Sequence, residues 1–374
     1  MASACTNGID TGFVALGYAK VAVLGVVQGI TELMPISSTA HMRIVPALFG
    51  WQDPGSAFSA AMQLAALAAV ISYFWRDVSD LLFRSLSAIG RRDFSNRSLK
   101  LAFGIAVGTI PIGVAGLALA KLLNTCTSPI RGLEVVGIAC IVVALLLGLA
   151  ELIARHQRSI ERVGLLDCLV VGIAQVGALI PGVSRSGSTL TAALFLGFKR
   201  EEAARFSFLL GLPAIALAGL KELAELRHAG LDAHGWWVLA VGLVIASLSA
   251  FVAIWGLLRI LERFSAWPFA VYRAFIGAVL LAGVATGWLR LRSGRRSHKQ
   301  DQLDSNGIPR FLDFFSRGTG SSNPSPSSGE SATNRPGGRS AGALRDGEHQ
   351  ASVRRGGVGQ IRQGQPQCWS WARR

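Results

Sequence analysis

The sequence predicts an all-α polytopic membrane protein, built as an inverted repeat with two re-entrant helical hairpins and about six transmembrane helices. Three observations carry this. Of 374 residues, 51% are hydrophobic and only 16% charged, with a positive mean hydropathy, a balance that does not suit a soluble chain of this length. Six windows are apolar for about the length that crosses a hydrocarbon core. Two further apolar regions are interrupted near their middles by proline and a run of hydroxyl residues.

In chain order, the first interrupted region is 21–50, broken at "LMPISST". The apolar windows 57–75, 101–120 and 133–154 follow, each a span. The second interrupted region, 165–198, breaks at "LIPGVSRS". Then come 206–220, the weakest window, 236–258 and 268–291. Each half of an interrupted region is too short to span comfortably. Proline removes a backbone donor, and unpaired backbone at membrane depth survives only inside protein or beside a wet cavity, so both regions read as re-entrant hairpins with buried tips. In each, a glutamine (Gln28, Gln175) precedes the proline (Pro35, Pro181) by seven or six residues, and a branched apolar residue and hydroxyls follow. Paired interruptions in two halves mark the ligand site of inverted-repeat membrane proteins, whose broken helices aim their N-termini at an anion.

The membrane domain therefore occupies residues 1–292. From 293 to 374 the composition turns to Gly, Ser, Pro, Gln and Arg, which buries too little apolar surface to order, so a disordered tail is expected there. The formal charge of +15 is spread over loops and tail rather than gathered on one face, which argues against a nucleic-acid partner. Loops 76–100 and 155–162 carry nine Lys and Arg, against four in 121–131 and 221–235, so the first pair is expected on the cytoplasmic side. Parity then places the tail outside, against the basic cluster Arg290, Arg292, Arg295 and Arg296. The five cysteines form no CxxC pair and no zinc spacing, so neither a disulfide framework nor a structural metal is expected. No basic segment precedes an apolar core in the first 20 residues, so a cleaved signal peptide is not expected.

Chemistry concentrates at the two breaks. Arg185 would lie near the membrane midplane, where an arginine is costly and seldom lacks a partner or a site. Its guanidinium forks onto phosphate. Ser184, Ser186, Ser188 and Thr189 surround it, and Gly182 and Gly187 let backbone approach a ligand, so the stretch reads as an anion cradle at a helix N-terminus. A structural alternative pairs Arg185 with a buried carboxylate while the serines cap a helix. In the first hairpin Gln28 and Glu32 share a helical face, and Ser37, Ser38, Thr39 and His41 follow the break. A carboxylate, hydroxyls and an imidazole meeting an arginine make an acid, base and nucleophile set for phosphoryl or acyl transfer.

"QGITELMPISSTAH" (28–41) and "PGVSRSGST" (181–189) resemble the two signature motifs of the bacitracin-resistance type undecaprenyl-diphosphatases, membrane enzymes that recycle the lipid carrier of cell-wall synthesis. The likeness extends over roughly residues 18–290, including "FSAAMQLAALAAVISYFWRD" and "FSFLLGLPA". The resemblance implies removal of the terminal phosphate of undecaprenyl diphosphate, dependence on a divalent cation (Mg2+ or Ca2+), and a pocket open to the outer face of the bacterial plasma membrane. It assigns functional roles to Glu32, Ser37, Ser38, Thr39, His41, Ser184, Arg185, Ser186 and Thr189. The family carries Glu or Gln where this chain has Gln28, so a second catalytic carboxylate is missing.

On this reading Arg185 and the backbone amides of the tips bind the diphosphate. Ser38, or Ser37, attacks phosphorus, His41 is the general acid or base, and Glu32 holds the cation or activates the nucleophile. Direct attack by water stays open, as does association into a homodimer. A polyprenyl-phosphate carrier or flippase, with or without hydrolysis, is the alternative, since broken helices in inverted repeats are also transporter architecture.

Overall fold

A computed structural model of the chain describes residues 5–6, 9–120, 130, 132–228 and 230–287. Among these, regular structure is helical apart from a two-residue antiparallel ladder, Cys5–Thr6 with Ile9–Asp10, and one isolated bridge. The tail expected from residue 293 onward lies outside the described residues. A 3-10 turn, Gly12–Leu16, leads into α1 (Gly17–Leu33), which is followed by α2 (Ser38–Leu48), α3 (Ser56–Ala61) and α4 (Gln63–Tyr73). Next come α5 (Trp75–Gly90), α6 (Arg97–Ala118) and α7 (Leu133–Ile153). The second half comprises α8 (Leu165–Val176) with a 3-10 extension Gly177–Leu179, α9 (Arg185–Phe195), α10 (Arg200–His228), α11 (Ala233–Arg263) and α12 (Trp267–Ala285).

Both breaks fall where the prolines place them. The residue before a proline is driven out of helical backbone, and Met34 (φ −72°, ψ 145°) and Ile180 (φ −84°, ψ 117°) are both extended. The chain restarts as α2 and α9, each of 11 residues and so about 16 Å long, near half of a hydrocarbon core of about 30 Å. Short helices behind two breaks are consistent with re-entrant hairpins. The first arm departs from expectation: with its 3-10 turn it runs 22 residues, Gly12–Leu33, long and apolar enough to cross. The 57–75 window departs too. It is divided at Met62 and turned by 81° at Phe74 into α5. That helix, counted with a cytoplasmic loop, exposes Leu82, Phe83, Leu86 and Ile89 on one flank and carries Asp77, Asp80 and Arg84, the pattern of a helix lying at an interface. The weak 206–220 window is the middle of α10, a helix of 29 residues. Among the described residues six helical runs have the length and apolarity of spans: 12–33, α6, α7, α10, α11 and α12.

The pairing of helices exposes the repeat. The first arm of hairpin one, α1, packs on α11 of the second half, and the first arm of hairpin two, α8, packs on α6 of the first. α7 and α12, which close the two halves, pack on each other. Glycine makes both arm contacts: a Cβ on Gly29 would overlap Ser249 and Ala246 O, and one on Gly172 would overlap Gly108 O. Backbones approach this closely only without side chains, the usual means of helix association in lipid. Large apolar side chains such as Leu117, Leu145, Leu152 and Val252 stay exposed, as a lipid-facing perimeter requires.

Candidate active site

The two tips share a left-handed cap serine and a sequence register. Ser37 caps α2 with φ 71° and Ser184 caps α9 with φ 63°. Left-handed backbone at a non-glycine residue costs about 1–3 kcal/mol and persists where the surroundings enforce it. Counting back nine residues from each serine reaches Gln28 and Gln175; counting forward one reaches Ser38 and Arg185, each the first residue of its helix.

These two first residues converge on one carboxylate. Glu32, buried at the end of α1, accepts from Ser38 Oγ at 2.6 Å and from Gln28 Nε2 at 2.9 Å through Oε2, and from Arg185 Nη2 at 3.2 Å through Oε1. Two N-termini, with their unpaired N–H groups and positive dipole ends, thus flank a site holding one acid, one nucleophilic hydroxyl and one guanidinium. Ser186 Oγ reaches the carbonyls of Glu32 (3.2 Å) and Met34 (3.0 Å), tying the second tip to the frayed end of α1. Its single hydrogen is committed there, so Ser184 Oγ, 3.1 Å away, donates to Ser186 while accepting from Gly187 N–H.

Other predicted residues lie apart from this convergence. Thr39 is exposed, and Thr189 is buried with its hydroxyl on Arg185 O at 2.8 Å, a bond within its own helix. His41 is buried, with Nδ1 2.8 Å from Ser37 O and Nε2 2.8 Å from the hydroxyl of Tyr272. Gly182 (φ 99°) takes a conformation that disfavours a side chain, and a Cβ there would lie 2.5 Å from Val136 O. At Gly187 a Cβ would overlap the guanidinium of Arg273. Both glycines therefore have packing reasons that need no ligand.

Arg273 was not singled out from the sequence. It is fully buried on α12, and its guanidinium donates to Cys140 O (3.2 Å), Pro35 O (3.1 Å), Gly182 O and Val183 O, clamping the carbonyls of both breaks. The signal was available: Arg273 is the sole acidic or basic residue between positions 264 and 289. Tyr272 beside it, ring-stacked on His41 with centroids 5.6 Å apart, was missed too.

Among the described residues no group of three or more His, Cys, Asp or Glu gathers, so these residues offer no dedicated metal cage. They do offer Glu32 and the Oε1 of Gln28, a buried oxygen with no hydrogen-bond partner. A hard divalent ion that keeps waters and shares substrate oxygens fits such a pair.

The family model described as "Bacitracin resistance protein BacA" matches residues 21–279, more than half of the chain and both tips. The chain is 73% identical over 262 residues to Undecaprenyl-diphosphatase 2 of Mesorhizobium japonicum, covering 70% of this chain and 99% of that protein. It is 49% identical over 269 residues to the undecaprenyl-diphosphatase of Synechococcus elongatus (72% and 93% covered). It is 45% identical over 289 residues to that of Trichormus variabilis (77% and 90%).

Proposed function

The chain belongs to the bacitracin resistance protein BacA family, and we propose that it hydrolyses undecaprenyl diphosphate to undecaprenyl phosphate and inorganic phosphate. The observation that carries this reading is the meeting of Ser38, Arg185 and Glu32 between the N-termini of α2 and α9. A hydroxyl held 2.6 Å from a carboxylate is the arrangement of an activated nucleophile, which phosphoryl transfer uses and binding alone does not require. The protein is a multi-pass membrane protein; its placement in the plasma membrane, with the site toward the outer side, is part of the proposal.

Arg185 leaves Glu32 for the diphosphate, where its fork spans two phosphate oxygens, and the N–H groups of both helix starts add donors. Ser38 Oγ attacks the terminal phosphorus and gives its proton to Glu32 Oε2. The bond from that phosphorus to the bridging oxygen breaks, and undecaprenyl phosphate leaves with the electron pair. Water then attacks the phosphoserine and loses one proton to a neighbouring base, for which His41 is the candidate. Ser38 recovers the proton held on Glu32 as phosphate departs. Positioning and electrostatics dominate such a reaction. Glu32 and Gln28 Oε1 would hold the divalent cation, Mg2+ or Ca2+, whose contribution when bound is to neutralise the diphosphate.

The test is phosphate release from a long-chain isoprenyl diphosphate by protein purified in detergent, where no sides remain to cross. Release with Mg2+ or Ca2+ and its arrest by EDTA are expected. No release with either ion, nor with Mn2+, refutes hydrolysis and leaves the carrier.

A further inference from the structure

His41 is the one imidazole at the tips among the described residues, and the identity of its two partners determines its protonation pattern. Nδ1 lies 2.8 Å from the backbone carbonyl of Ser37, and a carbonyl only accepts. In the neutral ring Nδ1 therefore carries the hydrogen, and Nε2 presents a bare lone pair. Facing that lone pair at 2.8 Å is Tyr272 Oη, which is then the donor. The rings stack nearly parallel, 16° apart, so the contact is held by two interactions. Ser37 itself is pinned at positive φ as the cap of α2, and neighbouring Arg273 is locked to both breaks, so the partners approach His41 from the elements that build the site.

We infer that Tyr272 relays a proton in the proposed hydrolysis: the Ser37 carbonyl sets His41 as the Nδ1–H tautomer, and the Tyr272 hydroxyl, donating to Nε2, is the group through which a proton reaches that nitrogen. The inference rests on the reading of the site given above. A proton from the attacking water passes to Tyr272 Oη as the phenolic hydrogen passes to Nε2. The phenol is unchanged, the imidazole becomes imidazolium, and the hydroxide oxygen joins phosphorus. Tyr272 suits this relay because it is 41% exposed and its oxygen can accept a hydrogen bond from a water while its own hydrogen stays on His41. With the lone pair of Nε2 covered, His41 cannot meet the water directly unless Tyr272 moves away.

Tyr272→Phe keeps the ring stack and deletes only the hydroxyl, so it should fold. Two measurements on the full chain in detergent decide the matter. In 15N-histidine-labelled protein, with the His41 signals identified by their loss in His41→Gln, the wild type should show the Nδ1–H tautomer with a hydrogen-bonded Nε2, and Tyr272→Phe should keep that tautomer while its Nε2 signal moves to that of a ring nitrogen without a donor. In steady-state phosphate release, Tyr272→Phe should lower kcat roughly tenfold or more, short of the 10²–10⁴ typical for outright loss of a general base, with KM within about twofold of wild type. Wild-type His41 in the Nε2–H tautomer overturns the inference. So does a Tyr272→Phe protein with unchanged kcat, or one that loses kcat while its Nε2 signal stays as in wild type. Absence of phosphate release by the wild type would refute the hydrolysis instead, since the tautomer is read without turnover.

Discussion

Glu32→Gln is the perturbation on which the site depends most. The carboxylate accepts three hydrogen bonds, from Ser38, Gln28 and Arg185. A glutamine of the same shape has one acceptor oxygen and an NH2 group, so it can satisfy the donors on one oxygen only and sets donor against donor at the other. Two effects follow, with different readouts. Ser38 loses its base, and removal of general acid–base help slows turnover by about 10²–10⁴. Arg185, 13% exposed, loses its counter-charge, and breaking a buried pair costs about 3–5 kcal/mol in the empty protein. Bound diphosphate supplies a new counter-charge, so KM should stay level or fall while kcat collapses. The assay is steady-state phosphate release at saturating Mg2+, with thermal unfolding followed with and without a nonhydrolysable isoprenyl diphosphate analogue. Gln28→Glu is the matched control. It places a second carboxylate at the 2.9 Å contact, which a cation neutralises, so turnover should survive with a steeper metal requirement. Glu32→Gln with near wild-type kcat, or Gln28→Glu dead beside it at saturating metal, refutes the base assignment.

The remaining expectations concern the arginines, the nucleophile and the tail. Arg185→Lys should lose most activity despite keeping charge, since an ammonium cannot fork across two phosphate oxygens; activity near wild type would show that a point charge suffices. Ser38→Ala should abolish phosphoserine formation and most turnover, checked by acid-quenched labelling with a 32P-diphosphate substrate; nearly full turnover hands the attack to Ser37 or water. Arg273→Leu should destabilise the folded protein by about 1–3 kcal/mol for each carbonyl it leaves unpaired, seen as a lower melting temperature in detergent; unchanged melting would remove the clamp. Deleting residues 297–374 should leave insertion and phosphate release unchanged, since their composition cannot pack a core; loss of inserted protein would contradict this.

What the sequence disclosed and what it hid differ by range. Five of the six spanning helices and both breaks were legible because hydropathy and proline act locally: Met34 and Ile180, each before a proline, are extended. The division at Met62 and the turn at Phe74 were not legible, since Phe74 lies in an unbroken apolar run and its backbone answers to packing. In the site, Glu32, Ser38 and Arg185 were named from residue type and position, but their convergence joins segments more than 150 residues apart. Thr39 and Thr189 belong to the motifs yet stand outside that convergence, because a motif records neighbours in sequence and a helix turns some of them away. Arg273 and Tyr272 went unnoticed because they sit in neither motif, although a lone arginine in an apolar span is itself a signal.

The repeat explains why the site needs two hairpins and why they differ. A helix start offers N–H groups and a positive dipole end but no reactive atom. Duplicating it yields two such ends facing one anion, suited to a ligand with two phosphates. Two identical tips would give two serines without a guanidinium, or two arginines without a nucleophile. At the first position of the restarted helix, one tip carries Ser38 and the other Arg185, so the matching backbone supplies the scaffold and the differing side chains the chemistry. The same difference appears five residues before the capping serines, where the first tip has Glu32 and the second Leu179. One carboxylate is then shared by both tips. It holds Ser38 and Arg185 together while the site is empty, and a second carboxylate would compete with the diphosphate for Arg185. Gln28 and Gln175 occupy matching positions as neutral amides, both buried. At Gln28 the amide donates to Glu32, and a neutral donor there stabilises the single acid without adding a second negative charge beside the incoming phosphates.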